Sequence, residues 1–62
     1  MLIKLTLAHS KEPALFNLDT VYAISASGSG GTVLDFGQEV FYTVEESFDT
    51  VQSMISARIM NP

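Results

Sequence analysis

The sequence predicts an α+β fold: a small antiparallel β-sheet or partly closed barrel of about five short strands with one C-terminal amphipathic helix. Three observations carry this. Apolar residues alternate with a period of two through most of the chain up to Val44, clusters of Gly, Pro, Asn, Asp and Ser interrupt that alternation, and beyond Ser47 the apolar spacing changes to three and four.

The first strand is expected over residues 2–8, where Ile3, Leu5 and Leu7 point one way and Lys4, Thr6 and Ala8 the other. His9-Ser10-Lys11-Glu12-Pro13 then supplies turn chemistry. Pro13 lacks a backbone donor and belongs in the turn or at the first position of the second strand, at 14–16. Asn17-Leu18-Asp19-Thr20 breaks the pattern, and a third strand follows over 21–26 with Tyr22 and Ile24 on one face. Residues 27–31, Ser-Gly-Ser-Gly-Gly, form a loop expected to be flexible. Strands at 32–36 and 39–44 make a hairpin with Gly37-Gln38 at or near its tip, aligning Thr32, Leu34 and Phe36 on one strand with Val40, Tyr42 and Val44 on the other.

Phe48, Val51, Ile55 and Ile59 share one stripe of a helix near 48–59, widened by Met54. Two caps compete: Ser47 with Asp49 in the first turn, or Thr43 with Glu46 three residues on. Ser47 is preferred because strand alternation runs through Val44. Arg58 complements the negative end of the helix dipole, and Asn61-Pro62 stops the helix.

Sixty-two residues make a single domain over residues 1–62, and a chain this short buries only about 60% of the surface it exposes unfolded. With 47% apolar residues it is expected to fold, yet it has no cysteine to add a disulfide or a thiolate metal site. No long apolar run or signal-like segment occurs, so a soluble, cytoplasmic protein without membrane contact is expected. The formal charge is −4, with Lys4, Lys11 and Arg58 the only Lys or Arg residues, which argues against direct nucleic-acid binding. Asp35, Glu39, Glu45, Glu46 and Asp49 cluster in one stretch, read as a solvated acidic rim or, more sharply, as a surface for a basic partner or a nucleic-acid mimic.

No catalytic template is met. His9 is the only imidazole and falls in a turn, and the carboxylates near the helix start need not converge, so neither a catalytic residue, a cofactor nor a metal is assigned and no enzyme is expected. Gly28, Ser29, Gly30 and Gly31 could cradle a phosphate through backbone N–H groups, but no Lys or Arg is nearby in sequence to supply a positive field. A Gly/Ser hairpin connection explains these residues fully and is the favoured reading.

Leu15, Val33 and Phe41 fall out of phase with the apolar sets of their strands. One helix covers only one face of a sheet, so these three are candidate interface residues and a homo-oligomer is expected. Phe16, Phe36, Tyr22, Tyr42 and Phe48 are assigned to the core by their spacing; Phe41 is assigned to an interface.

The order Ile3-Lys4-Leu5-Thr6, Phe16-Asn17-Leu18-Asp19 with Val21 and Ile24, Thr32-Val33-Leu34 with Phe36, and Val40, Tyr42, Val44 with Glu46-Ser47, Val51 and Ile55 resembles the FlbD-like family over nearly the whole chain. These are small proteins named for flagellar operons and swarming motility, with similar short proteins in bacteriophages. Members usually place a short Asp-Gly or Asn-Gly turn before the last strand. Here Gln38-Glu39 takes that turn and the Gly/Ser loop is long, which points to a phage or prophage accessory protein. The resemblance implies a regulatory or scaffolding role through protein contacts and supplies no catalytic residue. The leading expectation is a small non-catalytic interaction module that assembles with itself and an unidentified protein. The alternatives are an oligomeric binder or sequestering protein for a small nucleotide-like ligand, and an acidic decoy of a nucleic-acid-binding protein.

Overall fold

A computed structural model describes residues 1–60, with only the backbone of Ile59 and Met60. The elements run β1 (Leu2–Thr6), β2 (Pro13–Asn17), a 3-10 turn (Leu18–Thr20), β3 (Ala23–Ala26), β4 (Thr32–Asp35), β5 (Phe41–Val44) and α1 (Phe48–Met60). The fold is α+β, with two small antiparallel sheets, β1-β2 and β3-β4-β5, and one C-terminal helix. β2 and β3 do not pair, so the barrel is not closed.

Pro13 opens β2 opposite Thr6, where its missing N–H leaves no gap in a ladder. The β1-β2 loop closes through Leu7 N–H to Glu12 C=O (2.8 Å) and Lys11 N–H to Leu7 C=O (2.9 Å), with Lys11 left-handed at φ 65°. The sheets meet at one bridge, Leu7 with Val44. Ala8 N–H donates to Thr43 C=O (2.9 Å) and Glu45 N–H to Thr6 C=O (2.8 Å), which gives a continuous strand sequence β2-β1-β5-β4-β3.

Ile3, Leu5, Phe16, Leu34, Val44 and Val51 form the buried core, with Ile24, Phe36, Met54 and Ile55 packed partly against it. The helix starts at the Ser47 cap: Thr50 N–H donates to Ser47 Oγ (3.2 Å), and Val51 N–H to Ser47 C=O (2.9 Å). Val51 is the fully buried residue of its stripe, while Phe48, in the first turn, is 37% exposed. The Ile59 side chain and the stop at Asn61-Pro62 lie outside the described residues.

Several core assignments are corrected. Tyr22 is 80% exposed, because β3 begins only at Ala23 and the turn at Leu18–Thr20 directs Val21 inward instead. Val40 and Tyr42 are 47% and 45% exposed, because the open end of the barrel gives them no facing strand. Of the β5 set only Val44 is buried.

Two turns carry opposite glycine logic. At Gly31 an added Cβ would overlap the Val44 carbonyl oxygen, whereas at Gly28 it would meet open space. Gly31→Ala is therefore expected to lower stability by about 2 kcal/mol or more, as overpacking against backbone does, and Gly28→Ala to stay within about 0.5 kcal/mol of the parent. Urea unfolding of the two variants checks the contrast. In the β4-β5 hairpin Val40 N–H donates to Gly37 C=O (3.0 Å), and both central residues, Gln38 (φ 53°) and Glu39 (φ 66°), have the positive φ of a type I′ turn without a glycine. Glu39→Gly is expected to raise stability by about 0.5–1 kcal/mol by relieving that strain, read as a higher urea midpoint at unchanged slope.

Candidate functional site

The acidic stretch divides once folded. The Thr6 N–H donates to both carboxylate oxygens of Glu46 (3.0 and 3.1 Å), and the buried Thr32 hydroxyl donates to Glu46 C=O (2.7 Å). Glu46 is thus a tie between β1, β4 and the helix start. The Asp35 carboxylate accepts the Gly37 N–H (2.8 Å) and shapes the hairpin, and Glu45 pairs with Lys11 (2.6 Å). Only Glu39, at the hairpin tip, and Asp49, in the first helical turn, combine exposure with no such bond among the described residues.

The glycine loop is stapled onto itself. Gly30 N–H donates to Ser27 C=O (3.2 Å), Ser29 N–H to Ser27 Oγ (3.3 Å), and Ser27 N–H to Gly31 C=O (2.9 Å). The N–H groups of Ser29 and Gly30 therefore point into the turn, not at an anion. Folding does bring a cation close, since Lys11 lines the same cleft as Ser29, Gly30 and Gly31, but Glu45 lines it too and neutralises Lys11. Among the described residues no three of His, Asp and Glu lie close enough to hold a metal ion.

The apolar residues make the more developed surface. Phe16 from β2, Phe36 after β4 and Tyr42 from β5 form a ring cluster: Phe16 stacks on Phe36 at 6.2 Å, and Tyr42 meets both edge-on at 5.5 and 5.9 Å. They line an open cleft of about 420 Å³ with Leu7, Ala14 and Val40. Phe41 points to the opposite face of β5 and is 63% exposed, beside a depression that includes Ala8, His9 and Ser10. Val33 is half-buried and diagonal to Phe41 on that outer face, because Val33 pairs with Thr43 and Asp35 with Phe41. Leu15, 66% exposed, lies on the other sheet opposite Lys4. Folding thus brings two of the three interface candidates together and leaves Leu15 apart. Spacing assigns Tyr22, Tyr42 and Phe48 to the core, and in the fold all three are exposed.

Comparison with protein-family models, with curated proteins and with solved structures finds no match for this chain. No helix among the described residues is long and apolar enough to cross a membrane.

The Glu46 tie is directly testable. Glu46→Ala leaves the part-buried Thr6 N–H without its acceptor and is expected to cost about 1–3 kcal/mol, whereas Glu46→Gln keeps an acceptor oxygen and is expected to lose less than half of that. Equal losses in denaturant unfolding would assign the effect to something other than this hydrogen bond.

Proposed function

We propose that the chain is a small, non-catalytic, cytoplasmic interaction module that assembles with itself and binds a protein partner through the outer face of β5. The observation that carries this reading is Phe41: an aromatic ring 63% exposed on the outer face of β5, with the half-buried Val33 diagonal to it. Solvated aromatics of this kind are enriched in interfaces and often dominate their energetics.

The setting of Phe41 favours a partner with an apolar anchor flanked by Lys or Arg. Asp35 lies across the ladder from it and Glu39 two residues before it, while the whole chain has three Lys and Arg against seven Asp and Glu. The resemblance of the sequence motifs, in their order and spacing, to FlbD-like proteins supports a regulatory or accessory role, phage or flagellar, exerted through such contacts.

Light scattering at micromolar concentration is expected to give a mass above the 6.7 kDa of one chain; a strictly monomeric mass overturns the self-assembly half of the proposal. For the partner half, Phe41→Ala is expected to weaken binding of a co-purified partner about tenfold or more, with an unchanged unfolding midpoint. That binding should also weaken as salt rises, given the acidic rim. Retained binding by Phe41→Ala would move the contact elsewhere.

A further inference from the structure

We infer that the Phe41 face of one copy seats the outer face of the β1-β2 sheet of a second copy, so that copies join head to tail. This rests on the self-assembly and the Phe41 contact proposed above, and it names the occupant of that surface.

Leu15, set apart from the other interface candidates, repeats the surroundings of Phe41 with the opposite charge. Leu18 N–H donates to Met1 C=O and Leu7 N–H to Glu12 C=O, which makes Lys4 and Leu15 a non-hydrogen-bonded pair of the β1-β2 ladder. Phe36 N–H donates to Val40 C=O, which makes Asp35 and Phe41 a pair of the same kind in the β4-β5 ladder. In each pair the apolar anchor and the charge share the outward face of their sheet, with Cα atoms about 4.5 Å apart. The anchors are 66% exposed at Leu15 and 63% at Phe41. Two residues before each charge, and diagonal to each anchor, stands a further apolar side chain: the exposed Leu2 on one sheet and the half-buried Val33 on the other.

Local charge, not net charge, selects the occupant. The Phe41 face suits an apolar anchor flanked by a cation, and Leu15 with Lys4 is such an anchor on this same chain. Lys4 is exposed and its ammonium makes no ion pair among the described residues, whereas Lys11 is held by Glu45. Residues 1–11 contain Lys4 and Lys11 and no Asp or Glu, while five of the seven Asp and Glu fall at 35–49. Laying Leu15 on Phe41 brings Lys4 of one copy to Asp35 and Glu39 of the other. Asp35 gives one carboxylate oxygen to the Gly37 N–H and keeps the second for that contact.

One chain cannot make this contact with itself. The β1-β5 register, in which Ala8 meets Thr43 and Thr6 meets Glu45, sets Phe41 level with Ser10, six residues along from Lys4 and roughly 20 Å away along the strands. Both pairs also lie on the outward side of strands that curl around the core, so a single second copy cannot seat on both at once. The contact is therefore heterologous, and each added copy presents the next free face.

The test uses the full chain. L15T and F41T each remove one anchor, keep strand propensity and leave the net charge at −4, so general repulsion between copies is unchanged. In sedimentation the parent mass is expected to climb past twice 6.7 kDa as concentration rises. Each variant alone is expected to associate with a dissociation constant about tenfold or more higher, at unchanged circular dichroism. Mixing the two variants is expected to restore one contact, between the Phe41 face of L15T and the Leu15 face of F41T, and to stop at twice 6.7 kDa. A monomeric parent overturns both this inference and the self-assembly on which it rests. A parent that associates while L15T associates equally well, or a mixture that restores nothing, overturns the inference and leaves self-assembly standing. Should either variant not fold, the parent itself decides. A zero-length carbodiimide joins an ammonium to a carboxylate in contact with it, so Lys11 should link to Glu45 within one copy, and Lys4 to Asp35 or Glu39 between isotope-labelled and unlabelled copies. Absence of the Lys4 link while the Lys11–Glu45 link forms overturns the pairing.

Discussion

Where β1 runs out of partner on one side and meets β5 on the other, a handful of backbone groups hold the whole protein together. A two-stranded sheet of five-residue strands, such as β1-β2, is at best marginally stable alone. The bridge between Leu7 and Val44 joins it to the three-stranded sheet, and the Ala8–Thr43 and Glu45–Thr6 hydrogen bonds extend that bridge. Beyond this point strand pairing stops, and the Glu46 carboxylate takes over as acceptor for the Thr6 N–H. Gly31 permits the same junction from the other side, because any side chain there would strike the Val44 carbonyl. Once this contact exists, Ile3 and Leu5 from one sheet and Leu34 and Val44 from the other face a common interior, and Val51 closes it from the helix.

Joining at only one place has a consequence at the opposite end. β2 and β3 remain unpaired, so the cluster of Phe16, Phe36 and Tyr42 sits at an open mouth, and Val40 and Tyr42 keep nearly half their surface in water. A chain of this length has too little polypeptide to cover that mouth, the outer face of β5 and Leu15 as well. The exposed apolar surface follows from the topology and the size together, and it gives association something to bury.

What was legible in the sequence was local. Alternation located all five strands to within about two residues, the change of period located the helix, and the competition between Thr43 and Ser47 ended as strand continuity through Val44 required. Pro13 took the first position of β2, as its missing donor demanded. What was not legible depends on pairing between distant segments. Glu46 reads as one more surface acid, because nothing near it announces a hydrogen bond to a residue forty positions away. Lys11 is likewise far from the glycine loop in sequence and beside it in space. Tyr22 was misplaced for a local reason: a single 3-10 turn before β3 delayed the strand, and Val21 turned inward in its place.

The division of the acidic residues bears on what kind of contact this surface can make. A mimic of nucleic acid needs carboxylates that are solvated and spaced like phosphates, yet Asp35 and Glu46 hold backbone N–H groups and Glu45 holds Lys11. Their charge is partly spent inside the fold, and Glu39 and Asp49 alone make a sparse array. Screened over about 8 Å at physiological salt, so few exposed charges steer and select a partner more than they bind it. Any binding energy of such a contact would come from apolar burial, at roughly 25 cal/mol per Å², and the most exposed large apolar side chains are Tyr22, Leu15 and Phe41.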